Sequence, residues 1–309
     1  MLSKFKIGHY TNIENGTGCT VIIPPEKNVT SAAVRGASPG TRELALLSPE
    51  RKINNIHALV LTGGSAFGLN SAHGVMEELA AQKIGYQTNY GVVPIIPAAV
   101  IFDRNLGNPQ AYPGAEHGRQ ALQSAIYNNE AEGNIGAGCG ASVGKWRGMD
   151  FAMKSGIGLA HKHYGQIKVT ALTVVNAAAD ILDEEGRLLA GAVDENGKFL
   201  AGRNPLARFD RPSVGMAENT VLTALFTNAM VTKQQAHYLA ERAHHGIARR
   251  VDPSHTSYDG DVAFVIASIQ EKADLDLVAT MVVAAVEESI LKGVRQAQSL
   301  FGLKSVREL

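Results

Sequence analysis

The chain has 309 residues, of which 45% are hydrophobic and 19% charged, so it can bury a large core without disulfide or metal staples. Its 29 Lys and Arg residues balance its 29 Asp and Glu residues, and no basic run stands out, which argues against nucleic acid and anionic membranes as partners. The two cysteines, Cys19 and Cys139, are far apart, and the first residues hold no apolar signal-peptide core, so we expect reduced thiols and a cytoplasmic protein.

Short β-favouring runs recur along the chain, and several are apolar almost throughout, as happens when both faces of a sheet are covered. The predicted strands are residues 19–23, 56–62, 98–102, 167–175, 221–228 and 262–268. Between the second and third runs, the spacing of Leu69, Ala72, Met76 and Leu79 predicts an amphipathic helix that stops at Gly85.

Two further helices are predicted in the last third of the chain. A capping box of Thr232 and Gln235 begins the first, which places five apolar side chains on one face: Ala236, Leu239, Ala240, Ala243 and Ile247. The second runs from about residue 274 to 300 and turns another five towards a core: Val278, Met281, Val282, Ala285 and Leu291. Strands that alternate with helices at this density indicate a layered arrangement of both.

A linker-like stretch, residues 203–218, contains Pro205, Pro212 and Gly215 and leads into the pair Asn219-Thr220, which opens an apolar strand. Cleavage between these two residues would leave Thr220 as an N-terminus that carries both a hydroxyl nucleophile and an α-amine. With a reference pKa of about 7.7–8.0, that amine could act as the base. Taken alone, an Asn-Thr pair before a strand is usually only a turn followed by a β-forming residue.

Five segments of the chain, in order, carry a resemblance to a known family. They are Leu61-Thr-Gly-Gly-Ser-Ala-Phe-Gly-Leu69, Gly136-Ala-Gly-Cys-Gly-Ala-Ser-Val-Gly-Lys145, Val174-Val-Asn176, Asn219-Thr220 with its strand, and His255-Thr-Ser-Tyr-Asp-Gly-Asp261. The chain resembles the L-aminopeptidase/D-esterases, a family that includes β-peptidyl aminopeptidases and has nylon-oligomer hydrolase as a relative. The resemblance implies an α+β fold, a four-layer αββα sandwich of the N-terminal-nucleophile-hydrolase type. It also implies one domain, 1–309, that cleaves itself into an α-chain, 1–219, and a β-chain, 220–309.

The resemblance assigns roles to individual residues. Thr220 matches the nucleophile, and Lys145 matches a lysine near the nucleophile of nylon-oligomer hydrolase that keeps the α-amine neutral. Asn176 would donate to an oxyanion, while Asp259 and Asp261 would orient the amine and the hydroxyl. Without the resemblance, Lys145 reads as a surface lysine, Asn176 as a strand-end turn, and Asp259-Gly260-Asp261 as a turn between strands.

Three more residues are candidates for the substrate pocket: Ser65, Phe102 and Gly138. Two positions depart from the family's pattern. Phe102 stands where nylon-oligomer hydrolase has a tyrosine, which argues against nylon-like activity. Glu218 stands where a glycine commonly precedes the Asn, which would slow processing by reducing the freedom of the backbone.

Other motif interpretations fit poorly. Cys139 and Trp146 occupy positions where a Walker-type phosphate loop needs Gly and Ser or Thr. Phe67 stands where a nucleophile elbow needs glycine. His161 and His163 have no carboxylate or cysteine cluster to complete a zinc set.

The sequence and the resemblance together predict a self-processing N-terminal-threonine amidohydrolase, an aminopeptidase on small peptides or amides, with no metal or organic cofactor and a homotetrameric assembly. Two alternatives stay open. The first is an amidase of the nylon-oligomer or pantetheine type, or an acyltransferase, on the same fold. The second is an unprocessed, non-catalytic binding protein.

Overall fold

The computed structural model describes residues 4–201 and 219–309, so the predicted linker and Glu218 lie outside the described residues. The described part forms four α-helices and eighteen strands. The helices are α1 (Ser71–Ala81), α2 (Ala115–Gln123), α3 (Lys233–Arg250) and α4 (Leu275–Arg295). The strands are β1 (Lys6–Asn12), β2 (Thr17–Ile23), β3 (Val29–Val34), β4 (Thr41–Arg42), β5 (Leu59–Thr62), β6 (Tyr86–Thr88), β7 (Gly91–Val93), β8 (Ala98–Val100), β9 (Ile126–Tyr127), β10 (Ser142–Val143), β11 (Met153–Lys154), β12 (Ile157–Tyr164), β13 (Ile167–Asn176), β14 (Asp180–Leu182), β15 (Leu188–Ala190), β16 (Thr220–Ala229), β17 (Val251–Asp252) and β18 (Val262–Glu271).

Two large sheets organise the described residues. The five-stranded sheet has the order β12-β13-β16-β18-β3, and its central strand β16 runs antiparallel to β13 and parallel to β18. The six-stranded sheet has the order β4-β8-β5-β2-β1-β9. Three short sheets complete the structure: β10-β11, β15-β14-β17 and the β6-β7 hairpin.

Three hydrophobic clusters define four layers. One packs α3 and α4 on the outer face of the five-stranded sheet and includes Leu239, Val282 and Leu225. The second lies between the two sheets, and Phe5 and Phe226 meet there with ring centroids 4.8 Å apart. The third packs α1 and α2 on the six-stranded sheet through Val75. The predicted αββα sandwich is therefore confirmed.

The central strand shows why its sequence is apolar without alternation. Successive side chains of a strand point to opposite faces. In β16, Leu222, Ala224 and Phe226 enter the cluster between the sheets, whereas Val221 and Leu225 enter the cluster under α3 and α4. Both faces are covered, and all ten residues of the strand are buried. By the same alternation, the Thr220 side chain points into the space between the two sheets.

The predicted helices are confirmed, with shifted ends. Thr232 and Gln235 form the capping box of α3. Asp274 caps α4, which ends at Arg295 instead of continuing to residue 300. Helix α1 ends before Gly85 because Lys83 adopts a left-handed φ of 60°. The Ile84 amide then bonds to the Leu79 carbonyl over 2.9 Å, a hydrogen bond typical of a Schellman motif.

Several elements were not predicted from the sequence, among them β1, β3, β12 and α2. Both cysteines are free and buried, and burial raises the pKa of Cys19 to about 12 and that of Cys139 to about 11. None of the described helices combines the length and the apolar composition that a membrane span requires.

Candidate active site

The Asn219-Thr220 bond lies at the start of the central strand of the five-stranded sheet. Thr220 pairs with Asn176, the last residue of β13, and Asn219 forms a parallel bridge with Asp259 in the loop before β18. The end of one strand and the beginnings of two others therefore meet at this bond. Asn219 and Thr220 are only 2% and 6% exposed, so the bond lies in a largely dry environment.

The Thr220 hydroxyl lies against the carbonyl group that precedes it. It donates a short hydrogen bond to the Asn219 carbonyl oxygen. The same oxygen accepts a 2.7 Å bond from the Gly260 amide. Gly260 comes very close to the hydroxyl, since a Cβ added there would lie 2.9 Å from Thr220 Oγ1. The site thus combines a hydroxyl next to a carbonyl carbon with a backbone donor on the carbonyl oxygen, as an acyl shift requires.

Lys145 is buried, which rules out the surface-lysine interpretation. It is 3% exposed, and its Nζ donates to Asn176 Oδ1 over 2.8 Å and to the Asn176 carbonyl over 3.2 Å. It lies in a tight turn after Gly144, whose φ of 70° favours glycine. Asn176 pairs with Thr220, so Lys145 contacts the residue that lies beside Thr220 on the neighbouring strand.

Burial controls the charge of this lysine. Loss of hydration lowers the pKa of Lys145 to about 7, and the negative charges of Asp259 and Asp103 act in the opposite direction. The Lys145 side chain is therefore partly charged and partly neutral near neutral pH. A lysine in this state can respond to a change of charge at the neighbouring Thr220.

The Asn176 side chain connects three segments. Its Oδ1 accepts from Lys145 and from the Ser142 amide, and its Nδ2 donates to the Phe102 carbonyl over 3.1 Å. The expected strand-end position is confirmed. The amide group therefore joins the five-stranded sheet to the segment that follows β8.

The two predicted carboxylates are brought to the same place and hold different partners. Asp261 Oδ1 accepts from the Val221 amide over 2.7 Å, so it grips the residue that follows Thr220. Asp259 Oδ2 accepts from the Thr256 amide over 2.6 Å. Burial, followed by the nearby charge of Asp261, raises the pKa of Asp259. They lie in the loop before β18, which pairs parallel to β16, so they do not form a hairpin turn.

A second buried pair, Asp103 and Lys154, was missed by the sequence analysis. Asp103 accepts from the Gly64 amide and from the Thr17 hydroxyl, each over 2.7 Å, and burial raises its pKa to about 6. Lys154 is 0% exposed, and its Nζ donates to the carbonyls of Gly138, Ala141 and Ser155. A lysine within an otherwise apolar segment was the one available signal for this pair.

Each of the three predicted pocket residues makes a backbone hydrogen bond. Phe102 is half-buried and supplies its carbonyl to Asn176. Ser65 lies in the turn after β5 with a φ of 55°, and its amide donates to the Ile101 carbonyl. Gly138 supplies its carbonyl to Lys154. Among residues 4–201 and 219–309, no group of three His, Cys, Asp or Glu side chains could hold a metal ion.

Comparison with known sequences identifies related proteins. The profile of peptidase family S58 matches residues 3–307. An uncharacterised aminopeptidase of Mycobacterium tuberculosis is 32% identical, and the alignment covers 98% of this chain and 95% of the relative. A 6-aminohexanoate-oligomer endohydrolase of a Kocuria species is 30% identical, with 84% of this chain and 71% of the relative covered.

Comparison with solved structures identifies the fold. A β-aminopeptidase of a Burkholderia species superposes with a TM-score of 0.72 at 18% identity, over 98% of this chain and 88% of the other. An L-aminopeptidase D-Ala-esterase/amidase of Ochrobactrum anthropi, described as a variant of the N-terminal-nucleophile-hydrolase fold, gives 0.71 at 19% identity, over 95% and 84%. The described chain therefore has that fold.

Proposed function

This chain belongs to peptidase family S58 and is a hydrolase of amide bonds, and we propose that it cleaves itself between Asn219 and Thr220. The observation that carries the proposal is the pair of contacts on the Asn219 carbonyl oxygen, one from the Thr220 hydroxyl and one from the Gly260 amide. Cleavage would give an α-chain, 1–219, and a β-chain, 220–309, of one domain.

The chemistry of self-cleavage follows from these contacts. Thr220 Oγ1 attacks the Asn219 carbonyl carbon, and the Gly260 amide stabilises the negative charge that develops on the oxygen. The carbon–nitrogen bond breaks, the proton moves to the Thr220 nitrogen, and the acyl group remains on Oγ1 as an ester. Water hydrolyses the ester and leaves a carboxylate on Asn219 and a free amine on Thr220.

The same hydroxyl would then attack the carbonyl carbon of a substrate. The new α-amine accepts the hydroxyl proton and passes it to the leaving amine, and water resolves the acyl-enzyme. The Lys145 ammonium disfavours a second positive charge on that amine, since like charges repel in a buried site. Asn176 is proposed as an oxyanion donor, and Asp259 and Asp261 as the groups that orient the amine and the hydroxyl.

We propose that the substrates are small peptides or amides with a free amino group, which makes the enzyme an aminopeptidase. The aminopeptidase relatives support this reading. The relatives that hydrolyse 6-aminohexanoate oligomers support the alternative, an amidase for non-peptide oligomers. Hydrolysis of aminoacyl p-nitroanilides and of their N-acetylated forms separates the two, because only the aminopeptidase requires the free amine.

Intact-mass spectra of the wild type, Thr220→Ala and Thr220→Ser test the self-cleavage. We expect two fragments from the wild type, an intact Thr220→Ala chain, and cleavage in Thr220→Ser, which keeps a hydroxyl. A wild-type chain that stays whole through long incubation overturns the proposal and favours the binding-protein alternative.

We further propose that the processed protomers form a homotetramer that works in the cytoplasm. The free, buried thiols are consistent with a reducing compartment. The exposed apolar side chains of the β6-β7 hairpin, Tyr86, Tyr90 and Val93, offer a surface for a subunit contact. Sedimentation velocity of the processed protein measures the assembly, and a monomer at micromolar concentration contradicts the tetramer.

A further inference from the structure

His255 lies at the beginning of the loop that carries the two site carboxylates. Its Nδ1 is 2.8 Å from Asp261 Oδ2. The carboxylate oxygen accepts in this contact, which selects the tautomer whose Nδ1 carries the proton and donates. The other oxygen of the same carboxylate, Asp261 Oδ1, accepts from the Val221 amide. A continuous path of hydrogen bonds therefore connects the imidazole to the residue that follows Thr220.

The orientation of the imidazole is fixed by its surroundings. His255 has a φ of 55°, a left-handed conformation that few non-glycine residues adopt and that histidine tolerates better than most. Its ring packs edge-on against His244, with centroids 4.9 Å apart. His244 is itself buried, and its Nε2 lies 3.0 Å from the Ala33 carbonyl oxygen. The backbone of His255 is held in a costly conformation, as is common for residues that support a functional site.

We propose that His255 is a positioning residue for the self-cleavage and hydrolysis proposed above, on which this inference rests. By donating from Nδ1, it fixes the Asp261 carboxylate, which in turn holds the amide of Val221, the second residue of β16. The loop that carries the Gly260 amide thereby keeps its position relative to Thr220. The donor is present in both the neutral and the protonated ring, so the positioning does not depend on the charge of His255.

Two substitutions by residues that tolerate a positive φ test the hydrogen bond that His255 Nδ1 donates to Asp261. His255→Asn places an amide nitrogen at the position of Nδ1 and keeps the hydrogen bond, whereas His255→Gly removes it. His163→Asn, at an exposed site on β12, is the matched control. Self-cleavage is followed by a chase of newly synthesised chain on gels, and kcat and KM of the processed enzyme are measured with an aminoacyl p-nitroanilide.

We expect His255→Gly to slow self-cleavage and lower kcat by roughly 10²-fold, the effect of a misplaced reacting group, with little change in KM. His255→Asn should recover most of both rates, and His163→Asn should match the wild type. Wild-type rates in His255→Gly, or equal losses in the Asn and Gly variants, overturn the proposal. If the Gly variant does not fold, His255→Asp replaces it, since aspartate also tolerates a positive φ and its carboxylate cannot donate to Asp261.

A second readout separates this proposal from the proposed function. In chains that also carry Thr220→Ala and stay whole, hydrogen exchange of the Val221 amide reports the grip of Asp261 directly. We expect fast exchange with His255→Gly and protection with His255→Asn. Equal protection in both overturns the positioning role, whereas failure of the wild type to cleave overturns only the proposed function.

Discussion

The backbone amide of Gly260 donates its hydrogen bond to the carbonyl oxygen of Asn219 over 2.7 Å. This oxygen is the atom on which negative charge would develop if the Thr220 hydroxyl attacked the adjoining carbon. A backbone amide in a buried site stabilises such a charge with no side chain to reorganise. Gly260 lies between the two site carboxylates, so one short loop, residues 255–261, brings together this backbone donor and both acidic groups.

Substitution Gly260→Ala should slow self-cleavage by about 10²-fold, because small displacements of reacting groups are costly. The new Cβ would lie 2.9 Å from Thr220 Oγ1 and 2.8 Å from the Ser38 carbonyl oxygen, so the loop or the hydroxyl must shift. The rate of self-cleavage is measured on gels, by following newly synthesised chain as it is converted into the two fragments. Gly114→Ala is the control, since its Cβ would meet no atom nearer than 3.9 Å. A Gly260→Ala chain that cleaves at the wild-type rate contradicts the prediction.

Substitution Lys145→Met should lower the rates of self-cleavage and of hydrolysis by about 10²-fold, the loss typical of one preorganised electrostatic partner. Methionine keeps most of the volume and removes the ammonium that contacts Asn176. Lys233→Met is the matched control, because Lys233 is also buried but donates to the carbonyls of a distant loop, residues 46–53. Equal losses of rate in both variants would indicate a general loss of stability instead.

Much of the fold could be predicted from local patterns. The apolar run that forms β16 is buried on both faces, and the Thr232-Gln235 capping box fixes the start of α3. The hydrophobic pattern and the capping motif were therefore enough to predict these two elements. The edge strands and α2 could not be predicted in this way. β3, for example, is held by pairing with β18, more than two hundred residues away in sequence, and such pairing leaves little trace in local composition.

The sequence indicated the site at Asn219-Thr220, because a loop leads into a strand there and the strand begins with a reactive side chain. The burial of Lys145 and Lys154 was not predictable from the local sequence, because each ammonium donates to oxygens elsewhere in the chain, those of Asn176 for Lys145 and those of Gly138 and Ala141 for Lys154. Only the folded chain brings these oxygens together, and an isolated lysine in a sequence is normally a surface residue. The contact of His255 with Asp261 was not predicted for a related reason, since one sequence does not distinguish a histidine that packs from one that contacts a site carboxylate.

Substitution Thr232→Ala should lower the free energy of unfolding by about 1 kcal/mol, the usual value of an N-cap. The hydroxyl accepts from the Gln235 amide over 3.2 Å, and alanine leaves that amide without its cap. Urea unfolding of chains that also carry Thr220→Ala measures the loss on a single covalent chain. Thr280→Ala, at an exposed site in the interior of α4, should change the value by less than about 0.5 kcal/mol.

The stability of the unprocessed chain should rise with pH above neutrality. Burial lowers the pKa of Lys145 and of Lys154 to about 7 from a value of 10.5 in the unfolded chain. Between these values the unfolded state binds more protons, so the free energy of unfolding increases with pH. Each lysine contributes roughly 1 kcal/mol per pH unit, and the contribution vanishes below the folded pKa, where both states are protonated.

Urea unfolding of Thr220→Ala at about pH 7 and about pH 8.5, with and without Lys154→Met, measures this slope. The upper pH is chosen because the cysteines of the unfolded chain begin to ionise near pH 9.0. Burial raises the pKa of both folded thiols, so above that pH the folded chain holds more thiol protons and the free energy of unfolding decreases with pH. Lys154→Met should reduce the slope, since the proton difference of Lys154 between the folded and unfolded states is removed. An equal slope in both chains would mean that Asp103 keeps the Lys154 ammonium charged, and that the low pKa belongs to Lys145 alone.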